Sequence, residues 1–385
     1  MISPFKLACS AIAVAGLSAL VVTASETRYR VIDLGTLGSS HSFAAGVNDF
    51  GHVVGSSGLD DTISPRPFLY DAGIGDLGSA AGQKGRALAI NDRGQIVGDA
   101  QTVTPEGYDA FRAFLFENDV MTDLGTLGGI SSQALGINDS GQIVGWSEFV
   151  PPPVGPWVWP ANVPIDQRQH AFFLDVGIMH DLHELAGLEG DNSAAIDIND
   201  FGQIIGHDGW RGFLYQDGHV VDLGMPGGIR SVPLSINNSG AIVMFVEDES
   251  RNANAFLYDD GEVTELGALG GTQSVARDIS DLGTIVGQAT LSEVSTIGTP
   301  IWHAFVYEGG LMTDLNTLIS ENSGWVLEDA AGINASGQIV GTGSLNGESR
   351  AYLLSPFPEP STLSLVAASV VVLAWRFLRS RATVG

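Results

Sequence analysis

Carboxylates are the reactive groups that recur at fixed positions in this chain. Clustered carboxylates can hold calcium, cleave a glycosidic bond, or accept backbone hydrogen bonds. An acid followed by leucine stands at Asp33, Asp76, Asp123, Asp181, Asp222, Glu265 and Asp314. A repeat protein needs one hydrogen-bonding device per repeat, so these seven acids read as structural rather than catalytic. The stretch from Asp197 to Gly202, with Asp208 downstream, has part of a calcium-loop pattern, but Phe201 stands where an oxygen ligand belongs. A hairpin is expected there instead. His180 and His183 would share a metal on a helix, whereas on a strand they point to opposite faces, which argues against a site. The chain has no G-x-S-x-G, no H-E-x-x-H and no phosphate-binding glycine loop. The expectation is therefore a non-enzyme with no catalytic residue, cofactor or metal ligand. The alternative is a glycosidase- or lyase-like enzyme acting on extracellular polysaccharide. Its mark would be polar residues that break the repeat symmetry at one mouth of the fold.

Aromatic chemistry is concentrated in residues 151–164, PPPVGPWVWPANVP, where six prolines stiffen a segment carrying Trp157 and Trp159. Indole faces on a stiff loop can form a platform for a sugar or a protein surface. The competing and preferred reading is that the rings cap the end of a neighbouring element.

What must position these groups is a series of short strands. Glycine occupies 50 of 385 positions without a collagen period, which implies many tight turns. Net charge is −27, and residues 25–357 carry 43 acids against 13 bases. Such a body repels phosphate backbones, which excludes nucleic acid as a partner. The only cysteine, Cys9, lies near the N-terminus, so disulfides do not hold the body together.

Three elements each occur seven times. An N-D-x-G-x-I-V-G element begins at Asn48, Asn91, Asn138, Asn199, Asn237, Ser280 and Asn334, at spacings of 43, 47, 61, 38, 43 and 54. The acid-Leu element is the second. The third is aromatic, at Phe68, Phe114, Phe172, Phe213, Phe256, Phe305 and Tyr352. Each repeat offers four strands and no room for a useful helix; in the third these are 113–117, 120–125, 132–138 and 142–147, with a hairpin at Asn138-Asp139-Ser140-Gly141. Four residues before each Asn stands a small residue (Ala134, for example), and one before it a large one (Ile137). On a regular strand these lie on opposite faces, both apolar, as sheets buried on two sides require. The chain enters on an acid-Leu strand and leaves on an aromatic strand, so its two ends complete one repeat. The expected fold is all-β: a seven-bladed β-propeller over residues 29–354, closed by pairing of the N- and C-terminal strands, with the small-residue strand innermost.

The repeats resemble the HAF family of extracellular bacterial repeats, on the triplets His170-Ala171-Phe172 and His303-Ala304-Phe305, DLGTLGG at 123–129 and GINDSGQIVGWS at 136–147. That resemblance implies location and repeat architecture rather than a defined chemistry. Residues 1–24 read as a signal peptide with Lys6, an apolar run and cleavage after Ala24. At the other end, residues 356–385 form a sorting tail. Pro358-Glu359-Pro360-Ser361, an apolar stretch over 363–375, then Arg376, Arg379 and Arg381 resemble the PEP-CTERM signal. The resemblance implies an exosortase-type sorting enzyme as partner and a C-terminal membrane helix that anchors the chain transiently in the inner membrane. The protein would then pass to the cell surface or extracellular matrix, where a glycan or surface protein is the candidate ligand.

Overall fold

Glycine and asparagine turn signals divide the body into hairpins, and the hairpins assemble as expected. The computed structural model describes residues 28–59, 64–78, 84–103, 107, 109–150, 169–190, 192–295 and 298–357. Tyr29–Pro356 forms one compact unit of seven four-stranded antiparallel sheets. Blade 1 runs Ser42–Val47, Val53–Gly58, Pro65–Tyr70 and Ile74–Asp76; blades 2 to 6 repeat this order from Gly85, Gly128, Ser193, Arg230 and Gly270. Blade 7 takes three strands from the end of the chain, Trp325–Ile333, Ile339–Leu345 and Glu348–Phe357, and its fourth, Arg28–Asp33, from the beginning. The sequence repeat thus straddles two blades, contributing the outer strands of one and the inner strands of the next. Among the described residues, helix is confined to Leu182–Ala186 and a 3-10 turn at Leu315–Leu318, and none is long and apolar enough to cross a membrane. The expected signal peptide and the expected C-terminal membrane helix lie outside the described residues.

Each sheet is apolar on both faces, but the expected division into a small and a large face does not hold. In all seven blades a β-bulge falls between the small residue and the Asn; in blade 3 Ala134 pairs with Gly145, Gly136 with Val144 and Ile137 with Ile143. The extra residue (Leu135) reverses the alternation, so Ala134 and Ile137 share one face. That face, with Phe172, packs on Val97 and Ala113 of blade 2. Blade 1 packs likewise on Val340, Ala351 and Leu353 of blade 7, which closes the ring. The seven aromatic residues are buried to 9% exposure or less, and Gly145 shows why a glycine faces one of them. A Cβ there would lie 2.0 Å from the Gln133 carbonyl and 2.8 Å from the Phe172 ring. The first strands of consecutive blades adjoin one another around the axis, as expected for the small-residue strand.

Candidate functional site

The N-D-x-G hairpins gather at one mouth of the axial channel. Gly141 supplies the left-handed turn at φ +83°, and Asn138 Oδ1 accepts from the N–H groups of Ser140 (3.1 Å) and Gln142 (3.0 Å). The hairpin expected at Asn199 has the same bonds, to Phe201 and Gln203. The Asn then does something the turn alone does not require: its Nδ2 donates to the backbone carbonyl of the equivalent residue in the next blade. Asn48 reaches Asn91, Asn91 Asn138, Asn138 Asn199, Asn199 Asn237, Asn237 Ser280, and Asn334 Asn48, at 2.9–3.1 Å.

A second ring runs beside the first. The N–H of Asp49 donates to Asp92 Oδ1, Asp92 to Asp139, Asp139 to Asp200, Asp200 to Asn238, Asn238 to Asp281, and Ala335 to Asp49. Both rings open at the same joint, between blades 6 and 7, because Ser280 is too short to reach blade 7 and Ala335 has no acceptor. These side chains surround an axial cavity of about 240 Å³. Burial, and then the facing charges of Asp49, Asp139 and Asp200, hold Asp92 above the usual carboxylate range. Asn138→Ala should cost about 2–4 kcal/mol, because it strips partners from buried N–H and carbonyl groups. Chemical denaturation would measure the loss, and a change below about 0.5 kcal/mol, the scale of an ordinary surface substitution, would contradict it.

Deeper in the cavity, two residues before the Asn, the symmetry breaks. Gly46, Ala89, Gly136 and Gly332 occupy this position in four blades, and Asp197, Ser235 and Asp278 in blades 4, 5 and 6. Asp197 accepts from the N–H of Ile198 (2.8 Å) and of Ile236 in blade 5 (3.1 Å). Asp278 accepts from the Ser235 hydroxyl (2.7 Å), Ile279 N–H (2.8 Å) and Ile333 N–H in blade 7 (2.8 Å). Asp278 therefore bridges the joint that both rings leave open, where Arg277 also meets Asp329 at 3.2 Å. Burial pushes Asp197 up to about 7, with the Asp278 charge adding to it; burial raises Asp278 as well.

The acid-Leu residues lie at the opposite end of the blades, and their role is local. Asp33, Asp76, Asp123 and Asp222 accept through Oδ1 from the N–H two residues on, and Asp314 likewise from Asn316. The residue two before the buried aromatic meets the other oxygen: Arg66 with Asp76 (2.8 Å), Arg211 with Asp222 (2.7 Å), His170 with Asp181 (2.8 Å) and His303 with Asp314 (2.6 Å). The histidines of the two H-A-F triplets thus stand where four other blades have arginine and blade 5 has Asn254. His180 lies beside Phe173, while His183 stacks on His170. Trp157, Trp159, Ala24 and the residues from Pro358 to Arg381 lie outside the described residues, so none is placed at either end of the channel.

A family model described as "Protein of unknown function (DUF3466)" matches residues 129–354. The chain belongs to the DUF3466 family. No curated protein matches its sequence. The extracellular domain of BT4673 from B. thetaiotaomicron is similar at 11% identity and a TM-score of 0.47, over 84% of this chain and 39% of that one. The β-propeller domain of the Trilobed protease from Pyrococcus furiosus is similar at 12% and 0.45, over 82% and 93%. An acylaminoacyl peptidase from Pyrococcus horikoshii is similar at 12% and 0.46, over 84% and 53%. The DUF3466 chain thus spans less than two thirds of the first and third of these proteins.

Proposed function

We propose that this protein is an exported, surface-sorted, non-catalytic propeller, an interaction or structural component of the cell envelope or extracellular matrix. The observation that carries the non-catalytic reading is the employment of the recurring acids. At the channel mouth the ring carboxylates accept N–H groups from the preceding blade, and at the far end Asp76, Asp181, Asp222 and Asp314 pair with Arg or His. Groups so engaged hold strands together. Export and sorting rest on the HAF-like and PEP-CTERM-like motifs, which supply the exosortase-type enzyme as partner and the inner membrane as a transient anchor. Trp157 and Trp159 are the proposed platform for an extracellular glycan or surface protein.

Fractionation of a host with an exosortase tests both parts. The full chain should lose residues beyond the Pro358 motif and appear at the surface or in the medium. A chain truncated after Phe357 should go directly to the periplasm or medium. An intact chain that stays in the inner membrane would contradict sorting. The Trp157→Ala, Trp159→Ala double variant should reach the surface with an unchanged Tm but lose retention in the matrix; a large fall in Tm would place both rings in the packing instead.

One observation favours the second reading, an enzyme acting on extracellular polysaccharide: Asp197, Ser235 and Asp278 break the repeat symmetry at one mouth. Release of reducing ends by the protein, abolished in Asp278→Asn, would decide for it.

A further inference from the structure

Of the histidine–aspartate pairs built on the two H-A-F triplets, the one in blade 3 has a second carboxylate within ligand distance. After Asp181 the chain turns into the helix Leu182–Ala186, capped by Asp181 Oδ1 accepting from Glu184 N–H at 3.2 Å. This turn brings the Glu184 side chain to the pair. Single ligand atoms of His170, Asp181 and Glu184 all lie within 4.8 Å of one another. Blade 6 has the same pair but closes it with neutral groups. There Asn316 donates to Asp314 through its backbone N–H and its amide, and Thr317, the counterpart of Glu184, donates its hydroxyl to the Asp314 carbonyl. Among the described residues no hydrogen bond reaches the Glu184 carboxylate, and no lysine or arginine pairs with Asp181 or Glu184.

The imidazole is held as a ligand would be. His170 is buried and stacked between Phe149, with ring centroids 3.7 Å apart, and His183, 4.0 Å apart. His183 is fixed in turn by Ser193 at 2.9 Å. Such outer contacts set the plane of a coordinating ring.

We propose that His170, Asp181 and Glu184 form a divalent metal site that takes zinc, with water in the remaining position. Imidazole nitrogen and carboxylate oxygen are both zinc ligands, and three of them leave the fourth tetrahedral position to water; the imidazole favours zinc over the all-oxygen cations. The ion takes the place of the proton between His170 Nδ1 and Asp181 Oδ2, and the ring then carries its proton on Nε2. Its two charges offset the two carboxylates. Tetrahedral zinc holds a nitrogen and an oxygen ligand about 3.3 Å apart, so His170 and Asp181, now 2.8 Å apart, separate by about half an ångström as the ion enters, and the exposed Glu184 closes on it. The site lies at the end of blade 3 opposite the acidic mouth, and goes beyond the proposed function.

The test is zinc binding by the full chain, stripped with a chelator and titrated in competition with a chromophoric chelator. The wild type should take up one equivalent with micromolar or tighter affinity. Glu184→Gln should weaken uptake at least tenfold, on the scale of a lost ligand contact, and leave the metal-free Tm unchanged, because Glu184 is exposed. His170→Asn should abolish it, whereas Asp92→Asn at the axial mouth should bind as the wild type does. Zinc bound equally by Glu184→Gln, lost in Asp92→Asn, or not bound at all would each overturn the proposal.

Discussion

Deletion of residues 26–35 should destabilise the whole body by about 5 kcal/mol or more, lowering Tm by at least about 10 °C or abolishing cooperative melting. The deleted strand is the outer strand of blade 7, paired with Glu348–Phe357. Its loss bares that strand's edge, which invites association with other chains. It also removes Leu34, which is 2% exposed, donates its N–H to Ala351 and lies in the core joining blades 7 and 1. Tyr29 and Val31, which pack on the blade 7 core, go with it. Because the Asn334–Asn48 bond also links blades 7 and 1, the damage should not stay local. A truncated chain that melts like its parent would mean that the blades form an open stack.

The second large effect concerns pH. Asp197 is raised to about 7, chiefly by burial. In the window from about pH 4, where an ordinary carboxyl ionises, to about 7, the folded chain keeps a proton that the unfolded chain has released. Its contribution to stability is therefore greatest below pH 4, falls as pH rises through the window, and is constant above it. Glycine is what blades 1, 3 and 7 carry at this position, so Asp197→Gly tests the group with a tolerated residue. Relative to the variant, the wild type should lose on the order of 3–4 kcal/mol between pH 4 and 7. The difference matters more than either curve, because Asp314 slopes the other way. Burial alone would raise Asp314, but hydrogen bonds from His303 and Asn316 hold it below the ordinary range. Parallel curves for wild type and variant would show that Asp197 ionises like an exposed acid.

Local chemistry was the readable part of the fold. Asn138 and Gly141 announce a hairpin because both act within four residues, and the split blade follows from which strand type stands at each end. The bulge at Leu135 was not readable, since an extra residue in one strand shows only against its partner. With it went the expectation that Ala134 and Ile137 face opposite ways. The second use of Asn138 was equally hidden: its amide reaches Asn199, 61 residues away, and a turn residue looks the same whether or not it also joins two blades. In the sequence His183 stands three residues from His180, yet the structure seats it on His170, which pairs with Asp181. A helix of five residues supplies the difference, and Asp181 at its cap was the available signal.

That the recurring acids join blades is tested most directly by amide hydrogen exchange at the channel mouth. The backbone N–H of Asp92 donates to Asp139 Oδ1 at 2.9 Å, next to solvent. It should exchange slowly in the wild type, along with those of Asp49, Asp139 and Asp200. In Asp139→Ala the Asp92 amide alone should lose its protection, while the N–H groups inside the sheets keep theirs. Unprotected exchange at Asp92 in the wild type, or protection that survives the loss of Asp139, would contradict the role assigned to these carboxylates.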